Sequence, residues 1–500
     1  MNNKQLFFTA PLMSFLGALC IPISTFASDN QQHLSGGETT VNRHHASAYS
    51  AHSNNLKDVK SILTFNGGNK FFEEPWAQSA GSVSSQDGLG PLFNNNACQD
   101  CHVRDGRGHA SEAEHNQQGH DFSTLLIRAA KSDITAAQKD AMSLGFQSNI
   151  GDSCIGGQLQ HEAIFGISKE ASQAVSYQYH EIIFADGEKV TLRDPIWHIN
   201  GISCQLDDDT VLSARVAPPL IGLGLLALID EKDILQQEDI NDNQQGKSND
   251  GISGKANKVW SVETQQVQLG RFGWKAGQPT LKQQTAGAFI GDMGLTTEFF
   301  AKENCLDHQI DCKNAPNGNG DMTDSEYQYE VSSKILDKIT FYTNHLAVPA
   351  RRNAYDQQVL NGQKVFNQIG CQQCHTASYT TVKSDEFPEL SHQKIYPYTD
   401  MLLHDMGEAL TDFDKNSKTV KGDIAVEFQA QANEWRTPPL WGIGLAQTVD
   451  QNATFLHDGR ARNLLEAVLW HGGEAEQSKQ KVLQLSKQQR LELLAFLEDL

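Results

Sequence analysis

The hydrophobic and polar positions of this chain predict both strands and helices. Apolar runs at 182–184 and 190–192 flank an Asp-Gly pair, which predicts a β-hairpin. Apolar residues recur at helical spacing in 327–343 and again in 482–500, so each of these segments is predicted to be a helix. Residues 28–60 are polar and rich in histidine, and we expect them to form a loose N-terminal arm.

The first 27 residues have the pattern of an export signal. A mostly apolar run over 6–23 ends at Thr25-Phe26-Ala27, a small-x-small sequence that predicts cleavage near Ala27. A leucine precedes Cys20, where a lipid-attachment site needs a small residue, so we expect Cys20 to be removed with the signal. No later segment is long and apolar enough to span a bilayer. We therefore expect a soluble periplasmic protein.

The composition indicates a globular protein with an acidic surface. Of the 500 residues, 39% are hydrophobic and 20% are charged, and the formal net charge is −21. This length allows two or three domains. A negative surface argues against binding to nucleic acid or to anionic membranes, and it weakly favours a basic partner.

Two Cys-x-x-Cys-His motifs predict covalently attached haem. Two thiols at this spacing add to the vinyl groups of one haem, and the adjacent histidine then lies beneath the iron as its proximal ligand. A zinc site would need a less strained set of four ligands, and a thioredoxin-like motif would need a flanking β-α-β unit. The predicted cofactor-binding residues are Cys98, Cys101, His102, Cys371, Cys374 and His375.

Four cysteines lie outside the signal and the two motifs. Cys305 and Cys312 are near enough in sequence to close a small loop, and Cys154 and Cys204 would close a larger one. An oxidising compartment allows both pairs to form disulfides, and buried free thiols are the alternative.

The chain contains an internal duplication around the two motifs. The Arg-Val-Ala-Pro-Pro-Leu-Ile-Gly-Leu-Gly sequence of 215–224 recurs as Arg-Thr-Pro-Pro-Leu-Trp-Gly-Ile-Gly at 436–444. Trp274 and His457 then occupy matching places, because each precedes a leucine by seven residues. Each half therefore consists of a haem motif, a Pro-Pro-Leu turn and the start of a helix.

With these features the chain resembles the diheme oxidoreductase (putative peroxidase) family, which is related to bacterial diheme cytochrome c peroxidases and to the methylamine-utilisation diheme enzymes. The resemblance covers about residues 60–500. It implies a mainly α fold with two cytochrome c-like haem domains in tandem, at 61–340 and 341–500, and the β-hairpin is then an insertion in the first. Besides the haem motifs and the first Pro-Pro-Leu repeat, the matching segments are 270–294, 347–352, 395–407 and 434–475.

The resemblance also implies a division of labour between the haems. The C-terminal haem would receive electrons from a small redox protein of the cytochrome c or cupredoxin type, and the N-terminal haem would meet hydrogen peroxide. In similar peroxidases a calcium ion often lies between the domains. Here the acidic segment 317–324 is a candidate Ca²⁺ site, and a solvated loop is the alternative.

His102 and His375 are the predicted proximal iron ligands, and His471 is the first candidate for the sixth ligand of the C-terminal haem. His471 follows the histidine of the second repeat by fourteen residues, where similar peroxidases have a methionine and the methylamine-utilisation enzymes a tyrosine. A histidine there would lower the reduction potential of the haem. The rival ligands are Met406 and His404.

The sixth position of the N-terminal haem has no clear ligand in the sequence. Similar peroxidases have a switchable histidine after their first motif, and His109, His115 and His120 lie in the corresponding stretch. No spacing selects one of them. An open iron would suit peroxide binding.

Three residues are the predicted catalytic groups around the N-terminal haem. Trp274 resembles the tryptophan that relays electrons between the haems of the peroxidases, and Gln284 follows it by ten residues, as in the family. Cleavage of peroxide needs a group that moves a proton between its two oxygens. The family's glutamate position is a glycine here, so Asp292 is the favoured acid and Glu298 the alternative.

Arginines in both repeats are candidates for binding the haem propionates, because a guanidinium forms paired hydrogen bonds with a carboxylate. Ordinary ion pairs are the alternative. The candidates are Arg215, Arg436 and Arg460.

The sequence leaves three functions open. The first is a diheme peroxidase-like enzyme that takes electrons at the His375 haem, passes them by Trp274 and reduces peroxide at the His102 haem. The second is an electron-transfer cytochrome without a substrate site, which the missing glutamate favours. The third is a related oxidase that modifies another substrate.

Overall fold

The structure is a computed structural model that describes residue 1 and residues 31–79, 86–109, 124–240, 242, 250–319 and 328–500. The predicted signal peptide lies almost wholly outside the described residues. Of the described residues, 31% are helical and 19% are in strands or bridges. The prediction of a mainly α fold is therefore wrong, because paired strands occur far beyond the one predicted hairpin, and two tandem cytochrome c-like domains do not emerge from this arrangement.

The helices vary from single turns to helices of three to four turns. The longer ones carry the apolar residues that build the core. The α-helices are α1 (Val59–Glu73), α2 (Cys98–Cys101), α3 (Ala136–Ser143), α4 (Leu223–Ala227), α5 (Glu231–Leu235), α6 (Leu281–Met293), α7 (Ile310–Lys313), α8 (Ser333–His345), α9 (Gln357–Ile369), α10 (Ala446–Val449), α11 (Leu464–Trp470), α12 (Glu476–Gln484) and α13 (Lys487–Asp499).

The described strands form two-stranded antiparallel ladders that pair β1–β3, β2–β6, β4–β5, β7–β8, β9–β10, β11–β14 and β12–β13. The strands are β1 (Leu92–Phe93), β2 (Leu125–Lys131), β3 (Glu162–Ala163), β4 (Ser172–Ile183), β5 (Lys189–Asn200), β6 (Thr210–Val216), β7 (Lys258–Ser261), β8 (Gln266–Leu269), β9 (Tyr379–Thr380), β10 (Lys394–Ile395), β11 (Leu403–Asp405), β12 (Ala425–Glu427), β13 (Ala430–Gln431) and β14 (Glu434–Arg436).

The predicted hairpin is present as β4–β5 and is longer than the sequence pattern indicated, with pairing from Ser172↔Asn200 to Ile183↔Lys189. Although it belongs to the first half of the chain, it packs on the second. Ala185 N–H donates to Leu483 O at 2.9 Å, and the Arg490 guanidinium binds Asp186 at 2.8 Å. The hairpin thus closes over the C-terminal helices.

Each haem motif has a pair of crossed helices beside it. In one pair α1 crosses α8, and in the other α9 crosses α13. A β-carbon at Gly68 or at Gly362 would overlap the backbone carbonyl oxygen of Lys338 or Glu492 respectively. Glycine at the two crossings therefore lets the helix backbones approach closely.

The helix predicted over 482–500 is divided in two, at Leu485 and Ser486. Ser486 forms a capping box with Gln489, in which the serine hydroxyl accepts from the Gln489 N–H and the glutamine side chain accepts from the Ser486 N–H. A strong N-cap inside an apolar repeat thus begins a new helix. The helix predicted over 327–343 is observed as α8.

The N-terminal segment predicted as a loose arm is packed where the structure describes it. Tyr49 is 1% exposed, and its hydroxyl donates to Gly442 O at 2.5 Å. Single bridges pair Val41 with Pro349 and His52 with Leu346. Side chains of His44, Ser53 and Asn55 hydrogen-bond to backbone carbonyls beyond residue 340, which the local pattern cannot show.

The structure joins Cys154 to Cys204 and Cys305 to Cys312 as disulfides, the pairing that sequence alone left open. The first lies in a core of strands β2, β4, β5 and β6. Within the described residues, none of the helices combines the length and apolar character that crossing a membrane would need.

A buried ion pair fastens the end of α13 to the segment after α8, and it gives a stability prediction. Arg351 Nε donates to Asp499 at 2.8 Å, and both side chains are almost fully buried. Changing Asp499→Asn leaves the guanidinium buried without a countercharge, so we expect the free energy of unfolding to fall by about 3–5 kcal/mol. Chemical denaturation measures this, and the exposed Lys70–Glu74 pair supplies the control: Glu74→Gln should change stability by less than about 1 kcal/mol.

Candidate functional site

A cavity of about 610 Å³ lies beside the first haem motif. Cys98, Cys101 and His102 line it from α2, and the other walls come from α6, from the β2–β6 ladder and from the turn at 271–278. Its volume lies within the range of small-molecule and cofactor sites. The predicted catalytic residues Trp274, Gln284 and Asp292 line this same cavity, since Trp274 lies in the turn at 271–278 and the other two lie on α6.

The first motif has the chemistry that a haem would need. Cys98 and Cys101 are not joined in a disulfide. His102 Nδ1 lies 2.9 Å from Pro218 O, so Nδ1–H donates to this carbonyl and Nε2 remains for a metal. Burial lowers the pKa of His102 to about 4, which keeps the imidazole neutral as an iron ligand must be.

The second motif repeats this arrangement. His375 Nδ1 lies 2.9 Å from Tyr398 O, and burial lowers the pKa of His375 to about 4. Cys371 and Cys374 are likewise not joined in a disulfide. Each histidine has a phenylalanine ring 6.1 Å away, between centroids: Phe72 for His102 and Phe366 for His375. Both sets of residues fit a haem group.

His471 has the same hydrogen-bond pattern as the two proximal histidines. Its Nδ1 lies 2.7 Å from Ala467 O, and burial lowers its pKa. It is also near enough to His375 for its charge to lower the pKa of that residue. His471 as the sixth ligand stays a prediction, and this geometry leaves its Nε2 available.

The two rival ligands are placed differently. Both ring nitrogens of His404 are held by carboxylates, with Asp400 at 2.8 Å and Glu474 at 2.6 Å, so neither is available to an iron. Met406 lines a second cavity of about 250 Å³, together with Trp470 and Gly472, the residues on either side of His471.

Asp292 is held at the end of α6 by a side chain from another part of the chain. Its Oδ1 accepts from Gln158 Nε2 at 2.9 Å, and the same amide group also reaches Asn94 Oδ1 and Gly291 O. Burial raises the pKa of Asp292, while the Arg128 guanidinium and the Gln158 hydrogen bond act in the opposite direction. A carboxyl group poised in this way suits proton transfer.

Glu298 does not share the cavity. It is exposed on the protein surface, and its carboxylate accepts from Ser333 Oγ at 2.7 Å and lies 3.2 Å from Lys282 Nζ. Of the two acids that the sequence offers, Asp292 alone lines the cavity.

The three arginines proposed for the propionates are not equivalent. Arg215 lines the cavity but already binds Glu427 at 2.7 Å. Arg436 lines the cavity and donates only to backbone carbonyls, Gly273 O and Thr437 O, among the described residues. Arg460 is bound to Asp458 at 2.7 Å and is not part of the cavity wall. Arg436 is therefore the best placed of the three.

Three arginines outside the predicted set, Arg107, Arg128 and Arg271, also line the cavity. Arg107 donates to Thr454 O and Leu456 O, each at 2.8 Å, and its guanidinium lies 5.5 Å from the centre of the Trp274 ring. Arg128 pairs with Ser213 across the β2–β6 ladder, and its positive charge acts to lower the pKa of Asp292. The Gly-Arg-Gly sequence after His102 was a possible signal for Arg107, whereas only the β2–β6 pairing brings Arg128 here.

Of the three histidines predicted as a switchable ligand of the N-terminal haem, the structure describes one. His115 and His120 lie outside the described residues, as do residues 320–324 of the candidate calcium segment, so these expectations stay predictions. His109 is described: its backbone binds Thr124 Oγ1, and its ring lies 3.7 Å from Asp450. It is not part of the cavity wall.

Comparison with known proteins agrees with this site. A family model described as "Di-haem oxidoreductase, putative peroxidase" matches residues 30–500. No curated protein matches the chain. Among solved structures, hydrazine synthase of Kuenenia stuttgartiensis pressurised with 20 bar xenon matches at 20% identity, over 34% of this chain and 57% of that chain, with a TM-score of 0.23 that supports no conclusion.

The family description implies two haem groups, and the structure has two separate pairs of cysteines outside disulfides, each next to a histidine whose pKa is lowered by burial. The matched region includes both motifs and the whole of the cavity wall. The chain is therefore a member of the di-haem oxidoreductase, putative peroxidase, family.

Proposed function

We propose that this protein is a periplasmic diheme c-type oxidoreductase that reduces hydrogen peroxide to water with electrons from a small redox protein. Each Cys-x-x-Cys-His motif would hold one haem through two thioether bonds, with His102 and His375 as the proximal ligands. Export is supported by the apolar run and the small-x-small sequence that ends at Ala27.

The observation that carries the proposal is the composition of the first cavity. It brings the first motif together with Trp274, Gln284 and Asp292, which are more than 170 residues away along the chain. A buried carboxyl with a raised pKa beside a cofactor site is a frequent mark of acid–base catalysis. A protein that only carried electrons would not need this group.

The residues of the chain have separate tasks in this reaction. Cys98, Cys101 and His102 would hold the haem that would supply the electrons needed for cleavage of the O–O bond. Asp292 takes a proton from one peroxide oxygen and returns it to the departing oxygen, which leaves as water. Gln284 orients the peroxide by hydrogen bonding, and Arg128 favours the ionised form of Asp292. Two electrons and two protons convert each peroxide into two water molecules.

Electrons would enter at the second motif, which the cavity wall does not include. A histidine pair, His375 and His471, would give this haem a low reduction potential, which favours passing electrons onward. Trp274 would shorten the gap to the first haem. The net charge of −21 favours a donor with a basic docking surface, such as a small cytochrome c.

The decisive test is turnover of the purified diheme protein with hydrogen peroxide and a reduced small cytochrome c, followed by donor oxidation. Peroxide-dependent oxidation of two donor molecules per peroxide is the expected result. If there is no turnover and electron paramagnetic resonance shows both irons low-spin, the protein is an electron-transfer cytochrome. No turnover with one high-spin iron means that this site takes a substrate other than peroxide.

A further inference from the structure

The duplicated turns of the chain meet in the folded protein and bring an aromatic pair together. Within these turns, Phe272 bridges to Gln278 and Phe455 bridges to Ala461, a separation of six residues in each. Trp274 and His457 hold matching places in the two turns, and their ring centroids are 6.4 Å apart in an edge-to-face arrangement. The duplication thus places the end of one repeat against the end of the other.

A second tryptophan continues from this pair. Trp435, on β14, stacks on His457 with ring centroids 3.5 Å apart and planes only 12° apart. Both side chains are more than 90% buried. Trp435 Nε1 donates to Leu410 O at 2.8 Å, which fixes the plane of the indole.

Strand β14, which carries Trp435, pairs with strand β11 close to the second haem motif. Trp435 is the direct cross-strand partner of His404 in the β11–β14 ladder, so the two side chains lie on one face at adjacent positions. The His404 ring is fixed by Asp400 and Glu474, and its Nδ1 lies 3.6 Å from Cys374 Sγ. Trp274, His457, Trp435 and His404 therefore follow one another as neighbouring side chains from the cavity wall to Cys374 of the second motif.

We propose that Trp435 and His457 extend the electron relay beyond Trp274, so that electrons pass between the two haem sites along Trp274, His457, Trp435 and His404. This inference rests on the proposed function insofar as it takes both motifs to hold haem. The haem at His375 would lose one electron and be oxidised, and the haem at His102 would gain that electron and be reduced. The four side chains return to their starting state, and no proton is consumed.

Packing rather than conduction is the competing role for Trp435, and a rate measurement separates the two. The diheme protein is given one electron by flash reduction, without peroxide or donor, and absorbance follows the redistribution of that electron between the haems. We expect Trp435→Phe to slow redistribution roughly tenfold, which corresponds to about 1.4 kcal/mol of barrier. Trp274→Phe should slow it at least as much, and the double variant should add little to the slower single variant.

The matched control is Trp197→Phe, because Trp197 is equally buried but stacks on Phe413 in the strand core, away from this row. It should redistribute electrons at the unaltered rate. Should Trp435→Phe not fold or not bind haem, His457→Leu removes the middle ring and carries the same expectation. The reduction potentials and melting temperatures of Trp435→Phe and His457→Leu are compared with those of the unaltered protein. A relay role leaves these values unchanged.

An unaltered rate in a folded Trp435→Phe or His457→Leu variant overturns the relay. Since no peroxide is used, failure of peroxide turnover does not affect this result. A protein that reduces no peroxide can still show the relay, and a peroxidase can lack it.

Discussion

Changing Asp292→Asn is expected to lower the kcat for hydrogen peroxide by roughly 10²–10⁴-fold, the usual contribution of a positioned proton-transfer group. Asparagine has nearly the same shape and can still accept the hydrogen bond from Gln158, so the cavity should keep its form. Donor oxidation at saturating peroxide measures the effect, with haem content and spectra checked in parallel.

Glu298→Gln is the matched control, since Glu298 binds Ser333 and Lys282 on the protein surface. It should turn over at the unaltered rate. If the two variants behaved in the reverse way, the acid would be Glu298 and a rearrangement on haem binding would have to bring it inward. Equal activity in both variants would remove acid–base catalysis by this helix from the mechanism.

The pH dependence of kcat/KM follows from the environment of Asp292. Burial raises its pKa, and the group must start ionised to accept a proton from peroxide. Activity should therefore fall as the pH drops through this raised pKa, with a midpoint above the value of about 3.9 for an exposed aspartate. Arg128→Gln removes a positive charge that favours the ionised form, so it should move this limb to higher pH. If the fall in kcat/KM at low pH did not move, it would reflect the titration of a group other than Asp292.

Replacing Cys371 and Cys374 together by alanine should leave one covalently bound haem per chain and abolish turnover with the cytochrome donor. The physical reason is that electrons would lose their point of entry, while the cavity at His102 stays intact. Mass spectrometry of the denatured chain counts the bound haem. Cyanide binding, followed by absorbance, reports whether the iron at His102 is still accessible.

Two further double variants make this result specific. Cys98→Ala with Cys101→Ala should also leave one haem, and it should lose cyanide binding as well as turnover. Cys305→Ala with Cys312→Ala should retain both haems, because these cysteines form a disulfide. Two covalent haems in the Cys371 and Cys374 variant would contradict the assignment of the second motif.

Local sequence was sufficient for features whose chemistry is contained in a short segment. The spacing of Cys98, Cys101 and His102 specifies its own geometry, because thiols and imidazole at that spacing already lie on one turn of chain. The hairpin followed from two apolar runs around an Asp-Gly turn, and α8 followed from its helical periodicity. These elements needed no distant partner to be recognised.

The errors in the predicted fold have one cause. Short ladders such as β11–β14 and β2–β6 pair segments that are some 30 and 85 residues apart, and a strand of three to seven residues has too little pattern to be distinguished from a loop. The N-terminal segment was likewise read as loose from its polarity, although its polar groups bind the backbone near His345 and Pro349.

What the sequence determined by itself was the family, the two Cys-x-x-Cys-His motifs and the duplication, because each is a property of neighbouring residues. Tertiary structure alone decided which acid meets the cavity, which nitrogens of His404 and His471 are free, and which arginines surround Trp274. Those properties depend on hydrogen bonds and burial between segments far apart in the chain. Folding determines them, because side chains lose contact with water and meet their hydrogen-bond partners only when the segments pack together.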